Sequence, residues 1–337
     1  MLFRRVAFSF IVATALLASV VLLAAWFGTD TVSWSHALRN PSSVDRAVLL
    51  EVRLPRIAMA ALAGAGLSVV GASFQSLLGN PLAEPYVLGV SGGAALGATV
   101  TIAFGIPIAS TWASVAMPLS AMFGGITATA IVYSIAVSQA PSRGRSASSA
   151  ASILLAGVIV NGIASSLITF IKTIVSASKA QNLLFWLTGY IDVPSSTTLA
   201  VTAFCVLVGS ILLIADAGRL NLLSLGDESS EYLGVNVRGL TRRVFVVSSL
   251  VVGAIVSTTG LIGFVGLVVP HFLRRLVGPD HRLLLPMSLF VGASTLVLCD
   301  LVARVAFRWL GTEPPVGAVT ALIGGPLFLV LLRRQRR

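Results

Sequence analysis

Long apolar runs separated by short polar segments fill the chain. They cover residues 6–27, 57–78, 87–104, 113–137, 150–171, 197–215, 244–269, 283–307 and 315–332. A helix that crosses a bilayer needs about 20 apolar residues, so nearly every run reads as one span. The run 244–269 is the odd one, with 26 residues. At about 1.5 Å per residue it would be roughly 39 Å long, against a hydrocarbon core of about 30 Å. It also contains the breaker-rich piece STTGLIGFVG, residues 257–266. Arg242 and Arg243 precede it, and Arg274 and Arg275 follow it. A single crossing would put these two pairs in opposite compartments, against the positive-inside rule. A crossing that breaks near Gly260 and returns as a shorter helix keeps both pairs on one side. The pattern therefore predicts an all-α polytopic membrane protein of ten transmembrane helices, the eighth short, in a single transmembrane domain over 1–337. Irregular backbone at the break requires cover from protein or a water-filled cavity.

Ten crossings put both termini on one side. Fifteen arginines then fall in the segments of that side and seven basic residues in those of the other, so both termini read as cytoplasmic. MLFRR followed by an apolar stretch resembles a signal peptide, but the run 6–27 exceeds an h-region of about 7–15 residues. It reads as a retained first span. The stretches LAGAGLSVVGAS (62–73), SGGAALGA (91–98) and FGGITATA (123–130) set small residues at helical spacing, which lets helix backbones approach closely in lipid.

Composition agrees. Of 337 residues, 56% are hydrophobic and only 10% charged, where a soluble domain carries about 25% charged residues. The net charge of +11 does not point to nucleic acid, because the arginines sit between spans or at the termini and build no basic aromatic face. Cys205 and Cys299 fall inside apolar runs and read as buried small hydrophobes. His36, His271 and His281 lie far apart and show no metal-ligand spacing, so no metal site and no cofactor is expected.

The energy source is not visible in the chain. Its two lysines, Lys172 and Lys179, do not follow a glycine, so no Walker A loop is present. An ion-coupled carrier usually buries carboxylates or histidines at mid-membrane. Inside the predicted spans only Asp300 and Arg304 ionise. They stand four apart on one helix face and can neutralise each other, which favours a structural pair over a proton relay. No nucleophile–base set appears, so an enzyme is not expected.

Residues 216–243, DAGRLNLLSLGDESSEYLGVNVRGLTRR, form the longest polar segment on the predicted inner side. LNLLSLG and SSEYLGV place apolar residues at helical intervals, broken by Gly226 and Gly234, and read as two short amphipathic helices. They could lie flat on headgroups, but Asp227, Glu228 and Glu231 suit an anionic leaflet poorly. A docking protein partner fits better. On the predicted outer side, RLPR (53–56) sets Arg53 and Arg56 at the membrane face, either as snorkelling anchors or as fixed cations awaiting carboxylates. GNPLAEP (79–85) interrupts two apolar runs. Pro81 cannot continue a helix and pushes residue 80 to an extended backbone, while Glu84 reads as a free carboxylate near the cytoplasmic face.

Together, RLPR…GNPLAEPYVLGVSGGAALGA (53–98), ILLAGV (153–158), SLGDESSEYLGV (224–235), GFVGLVVPHFLRRLVGPDHRLLLP (263–286), DLVAR (300–304) and PPVGAVTALIGGPLF (314–328) resemble the FecCD/BtuC-type permeases. These are membrane subunits of binding-protein-dependent ABC importers for iron chelates, haem and vitamin B12. The resemblance covers about residues 45–332. It implies ten helices per subunit and a pore between two permease copies, identical or paralogous. It implies two copies of an ABC ATPase gripping coupling helices at 216–239, with contacts from Leu220, Leu222, Leu223, Leu225, Gly226, Asp227, Glu228, Glu231, Leu233 and Gly234. It implies a periplasmic or lipid-anchored substrate-binding protein docking on Arg53, Arg56 and Arg304. Asn80 and Leu82 resemble the cytoplasmic gate positions. The second gate segment reads SASSAAS (146–152), where Ala150 and Ala151 replace the Thr-Ser pair often found in the family, and Ser148 and Ser149 are the gate candidates. The location implied is the bacterial cytoplasmic membrane. Iron–siderophore is the first cargo expected, then haem and cobalamin. The runner-up is a stand-alone secondary carrier.

Overall fold

The computed structural model describes residues 2–29, 32–40, 42–86, 88–105, 113–138 and 147–335. Among them the chain is helical and contains no strand. Seven helices are long and apolar enough to cross a membrane, and two further apolar helices, Val90–Phe104 and Val316–Val330, are shorter. The expected count of ten requires these two and the 13-residue helix Val265–Val277 to cross as well.

Helix α1 (Leu2–Trp26) leads through two short turns, α2 (Trp34–Arg39) and α3 (Val44–Ala47), into a π-helical segment Val48–Arg53 and then α4 (Leu54–Leu77). These last three elements are one continuous 34-residue helical run, longer than the predicted span 57–78. Next come α5 (Val90–Phe104), α6 (Ala113–Ser138), α7 (Ala147–Ile174), α8 (Ala177–Leu187) and α9 (Ser196–Ala215). The chain continues with α10 (Ala217–Leu223), α11 (Asp227–Tyr232), α12 (Val237–Thr259), α13 (Val265–Val277), α14 (His281–Leu310) and α15 (Val316–Gln335). Helix α4 is the axis. It packs against α9, α12, α13 and α14, and its apolar part is 83% buried, against 11% for α1 at the periphery.

Small residues make that packing possible. A Cβ built on Gly71 would lie 1.9 Å from the Gly266 carbonyl oxygen, and one on Gly64 would lie 2.2 Å from the Gly292 oxygen. Backbones therefore touch where α4 crosses α13 and α14, as close-packed helices in lipid require.

The long apolar run breaks as its length demanded. Helix α12 ends at Thr259, and Gly260 caps it at φ 66°. Helix α13 restarts after Phe264 and spans about 20 Å by its 13 residues. Protein covers the irregular backbone between them. Tyr190 N donates to the Thr259 oxygen at 2.9 Å, and the Trp186 carbonyl oxygen stands 2.0 Å from where a Gly260 Cβ would be.

Substituting Gly71→Val should cost at least the ~1–3 kcal/mol of an overpacked core, because backbone rather than a flexible side chain occupies the space. Gly162 on α7 has nothing within 4 Å of its built Cβ, so Gly162→Ala should be neutral or gain up to about 1 kcal/mol. Thermal unfolding of the purified variants in detergent checks both.

Candidate functional site

One end of the bundle carries a buried ionic cluster. Arg56 Nη2 lies 2.8 Å from Asp300 Oδ1, and Arg304 Nε lies 2.9 Å from Asp300 Oδ2. The Arg56 guanidinium also pairs with Glu313 on the loop between α14 and α15, and it sits 5.5 Å over the Tyr190 ring. The helical spacing that predicted the Asp300–Arg304 pair is thus realised, while Arg56 and Glu313 reach it from distant sequence. Beside the cluster opens a cavity of about 720 Å³, lined by Met59, Trp186, Tyr190, Asp192, Thr258 and Glu313 among others.

Arg53, Arg304 and Arg308 also serve the end of α1 and the residues just after it. The last carbonyls of a helix have no partner inside it and carry the negative end of its dipole. Arg304 Nη1 donates to the Ala24 oxygen at 3.1 Å, and Arg53 Nη1 donates to Ala25 and Trp26 oxygens at 2.8 and 3.0 Å. Arg308 Nε donates to the Gly28 oxygen at 3.1 Å. Arg53, Arg56 and Arg304 are 4%, 8% and 3% exposed. The expected picture of fixed cations waiting at the surface is therefore not their geometry. Their charge is spent on Asp300, Glu313 and the end of α1.

At the opposite end, 216–239 folds into the two short helices that the glycines marked. Leu220, Leu223, Ser230 and Val235 are buried and anchor the segment. Ser76 Oγ of α4 donates to the Leu220 oxygen at 3.4 Å. Asp216 holds Arg219 at 2.6 Å and stands 3.1 Å from Arg243 Nε at the start of α12. Asn221 ties α10 to α14: its Nδ2 donates to Asp280 Oδ1 at 2.6 Å, and its Oδ1 accepts from His281 N at 2.8 Å. The Arg282 amide, with the Asn221 carboxamide, holds the Asp280 carboxyl below the ordinary carboxylate range. The other face is open. Leu225 is 62% exposed, Leu233 56% and Tyr232 85%, with Gly226, Glu228, Glu231 and Gly234 exposed and Leu222 and Asp227 half-buried. Tyr232 is missing from the sequence-derived set, although its place in SSEYLGV puts it on that face. So is Asn221, whose partners lie about sixty residues away.

The stretch GNPLAEP takes a defined form. Gly79 N donates to the Ser76 oxygen and Asn80 N to the Gln75 oxygen, with Gly79 at φ 56°. This is a Schellman end to α4. Asn80 Oδ1 then accepts from Leu82 N at 2.9 Å, and Leu82 is exposed. Glu84 is not the free carboxylate expected. It is 9% exposed, and its Oε1 accepts from Phe264 N at 2.7 Å at the start of α13. Phe264 has φ 70°, the sole positive value of a non-glycine among the described residues, a conformation that costs about 1–3 kcal/mol. Ser148 and Ser149 lie in the first turn of α7; their side chains are outside the described residues. Among the described residues no group of three His, Cys, Asp or Glu side chains is placed to hold a metal.

These features define a bundle of apolar helices, long enough to cross a membrane, with a closed ionic cluster at one end and an anchored, open-faced helix pair at the other. The family follows: the FecCD transport family model matches residues 12–334, and the chain belongs to that family. It is 36% identical over 325 residues to the hemin transport system permease protein HmuU of Yersinia pestis, covering 95% of this chain and 94% of that one. It is 37% identical over 290 residues to an uncharacterized ABC transporter permease protein, YvrB, of Bacillus subtilis, covering 86% and 80%. A solved structure, described as an inward-facing conformation of an ABC transporter of the metal-chelate type, superposes with a TM-score of 0.83 at 32% identity, covering 97% of this chain and 99% of that one.

Asp300→Ala leaves buried Arg304 without a carboxylate and Arg56 with Glu313 alone. It should destabilise the protein by about 3–5 kcal/mol. Arg304→Lys keeps the charge but loses the planar fork that serves Asp300 and Ala24 together, and should cost less. Denaturant or thermal unfolding of the two variants orders them.

Proposed function

We propose that the chain is the permease subunit of a binding-protein-dependent ABC importer, and that a second permease copy completes its pathway. The observation that carries this reading is the 216–239 segment. Its buried feet join it to α4, α12 and α14, while its open face offers Leu225, Tyr232 and Leu233 ringed by Glu228 and Glu231. Exposed aromatic and aliphatic anchors with a charged rim are the composition of a protein–protein contact. Two copies of an ABC ATPase are the partners this surface fits, and the conversion of ATP belongs to them. Both termini lie with this segment on the cytoplasmic side of a bacterial inner membrane, and ten helices cross it.

A substrate-binding protein docks at the other end. Arg53, Arg56 and Arg304 are the residues that would meet receptor carboxylates, and Arg56 and Arg304 would have to exchange Asp300 and Glu313 for them. Asn80 and Leu82, with Ser148 and Ser149, line the cytoplasmic gate. The cargo in this reading is an iron chelate. Relatives at 35–39% identity are named for hemin, cobalamin, ferric citrate and molybdate, and siderophore, haem and cobalamin remain the first compounds to assay.

Glu84 gives the secondary-carrier reading the buried carboxylate that the sequence had not supplied. A coupling carboxylate must exchange partners, whereas this one is committed to the α13 N-terminus, so the importer reading stands first.

Replacing Leu225, Tyr232 and Leu233 by alanine together should lower ATP-driven uptake at least tenfold, about 1.4 kcal/mol. Exposed positions rarely matter to stability, so the unfolding midpoint should stay within about 2 °C for a protein of this size. Uptake by proteoliposomes containing the whole transporter measures this; undiminished uptake, or uphill accumulation by the permease alone, refutes the proposal.

A further inference from the structure

The transport reading leaves Glu84 without a task, although it is buried and has one defined partner. Its oxygen accepts the Phe264 N–H at 2.7 Å, and among the described residues no basic side chain pairs with it. A helix N-terminus presents unpaired N–H groups and positive potential, and a carboxylate acceptor makes the stronger form of hydrogen bond. The contact therefore joins two segments 180 residues apart: the 78–89 loop with Asn80 and Leu82, and the break before α13.

Phe264 continues the line to a third element. A Cβ built on Gly324 of α15 would lie 2.6 Å from the Phe264 Cβ, so the phenylalanine fills a notch that only glycine leaves open. Below Phe264, α13 is fastened to α4. Gln75 Nε2 donates to the Leu267 oxygen at 3.2 Å, Arg274 Nη1 donates to Gln75 Oε1 at 2.7 Å, and Gly71 abuts Gly266. Past the far end of α13, Asp280 and His281 meet Asn221 of α10.

We propose that Glu84 is a positioning residue of the transport cycle: it locks the 78–89 loop to α13, so that Asn80 and Leu82 move with that helix. The inference rests on the importer reading for its purpose, since a gate must follow the ATPase-facing helices. A displacement delivered through α10 and Asn221 reaches the start of α14 and, across Gly278 and Pro279, the end of α13, and the Glu84 contact carries it to the loop. The φ of Phe264 is held from both sides, by Glu84 at its N–H and by Gly324 at its side chain.

The test places spin labels at Leu82 and at Leu276, which is 65% exposed on α13, after replacing Cys205 and Cys299 by alanine. Distances are measured by pulsed electron paramagnetic resonance on the full-length permease in nanodiscs. The parent protein and Glu84→Gln, whose amide oxygen accepts the same N–H, should give the same narrow distribution. Glu84→Ala should at least double its width. An unchanged width in Glu84→Ala, or a Glu84→Gln distribution as broad as that of the alanine variant, overturns the proposal. Should Glu84→Ala not fold, Gly324→Ala displaces Phe264 from the other side and must broaden the same distribution; if it does not, the proposal also falls. None of these measurements uses an ATPase or cargo. Failure of the brace is thus separable from failure of the importer reading, which the uptake assay tests.

Discussion

Lipid offers no hydrogen bonds, so every backbone group that stops short of water must be answered by protein. The helix ends of this chain show how that constraint selects residues. The last carbonyls of α1 receive Arg53 and Arg304, and Arg308 takes the Gly28 carbonyl just beyond it. The end of α4 turns back on itself through Gly79 and Asn80. The interruption between α12 and α13 is met by the backbone of residues 186–190 on one side and by the Glu84 carboxylate on the other. Residues that look like surface chemistry in the sequence are, in three of these places, terminations of the fold.

The ionic cluster follows the same logic. A bare guanidinium or carboxylate is too costly to bury, and a buried pair holds only when its remaining donors find acceptors. Asp300 takes one guanidinium on each oxygen, Glu313 takes the far side of Arg56, and the Ala24 carbonyl of α1 takes Nη1 of Arg304, whose Nη2 stays buried without a partner among the described residues. The result fastens α1, α4, α14 and the 311–315 loop at one point. It also moves the docking question. A partner at this end would meet arginines already neutralised by Asp300 and Glu313, so direct contact would require these pairs to be exchanged.

How far this was legible from the sequence depended on the range of the interaction. The break at Gly260 was readable because a run of 26 apolar residues is too long for one crossing and the flanking arginine pairs must share a side. The two short helices around Gly226 were readable because their apolar spacing and breakers are local. Asp300 and Arg304 were readable as neighbours one helical turn apart. Helix α8 (Ala177–Leu187) was not, because its 11 residues are too few for a span. Glu84 was misread as free because its partner lies 180 residues on, and Arg56 was read as exposed because Asp300 and Glu313 lie 244 and 257 residues on. No local pattern encodes such pairs; only the packing of α4 against α13 and α14 creates them.

The two ends of the molecule are nevertheless not independent. Helix α14 begins in the Asn221–Asp280–His281 contact and finishes among Asp300, Arg304 and Arg308. Its 30 residues make a rod of about 45 Å, close-packed on α4 at Gly64 and Gly292. A shift of α10 that kept its hydrogen bonds would carry the first turn of α14 with it. Because packed backbones deform little, the strain would have to appear at the far end, where a buried cluster tolerates only discrete rearrangements of its pairs. Pro286 in the second turn removes one helical hydrogen bond and is the point on the rod where bending costs least. Whether motion passes along α14 or is absorbed there is therefore decided by the stiffness of one turn, while the Glu84 contact offers α13 a shorter route to the 78–89 loop.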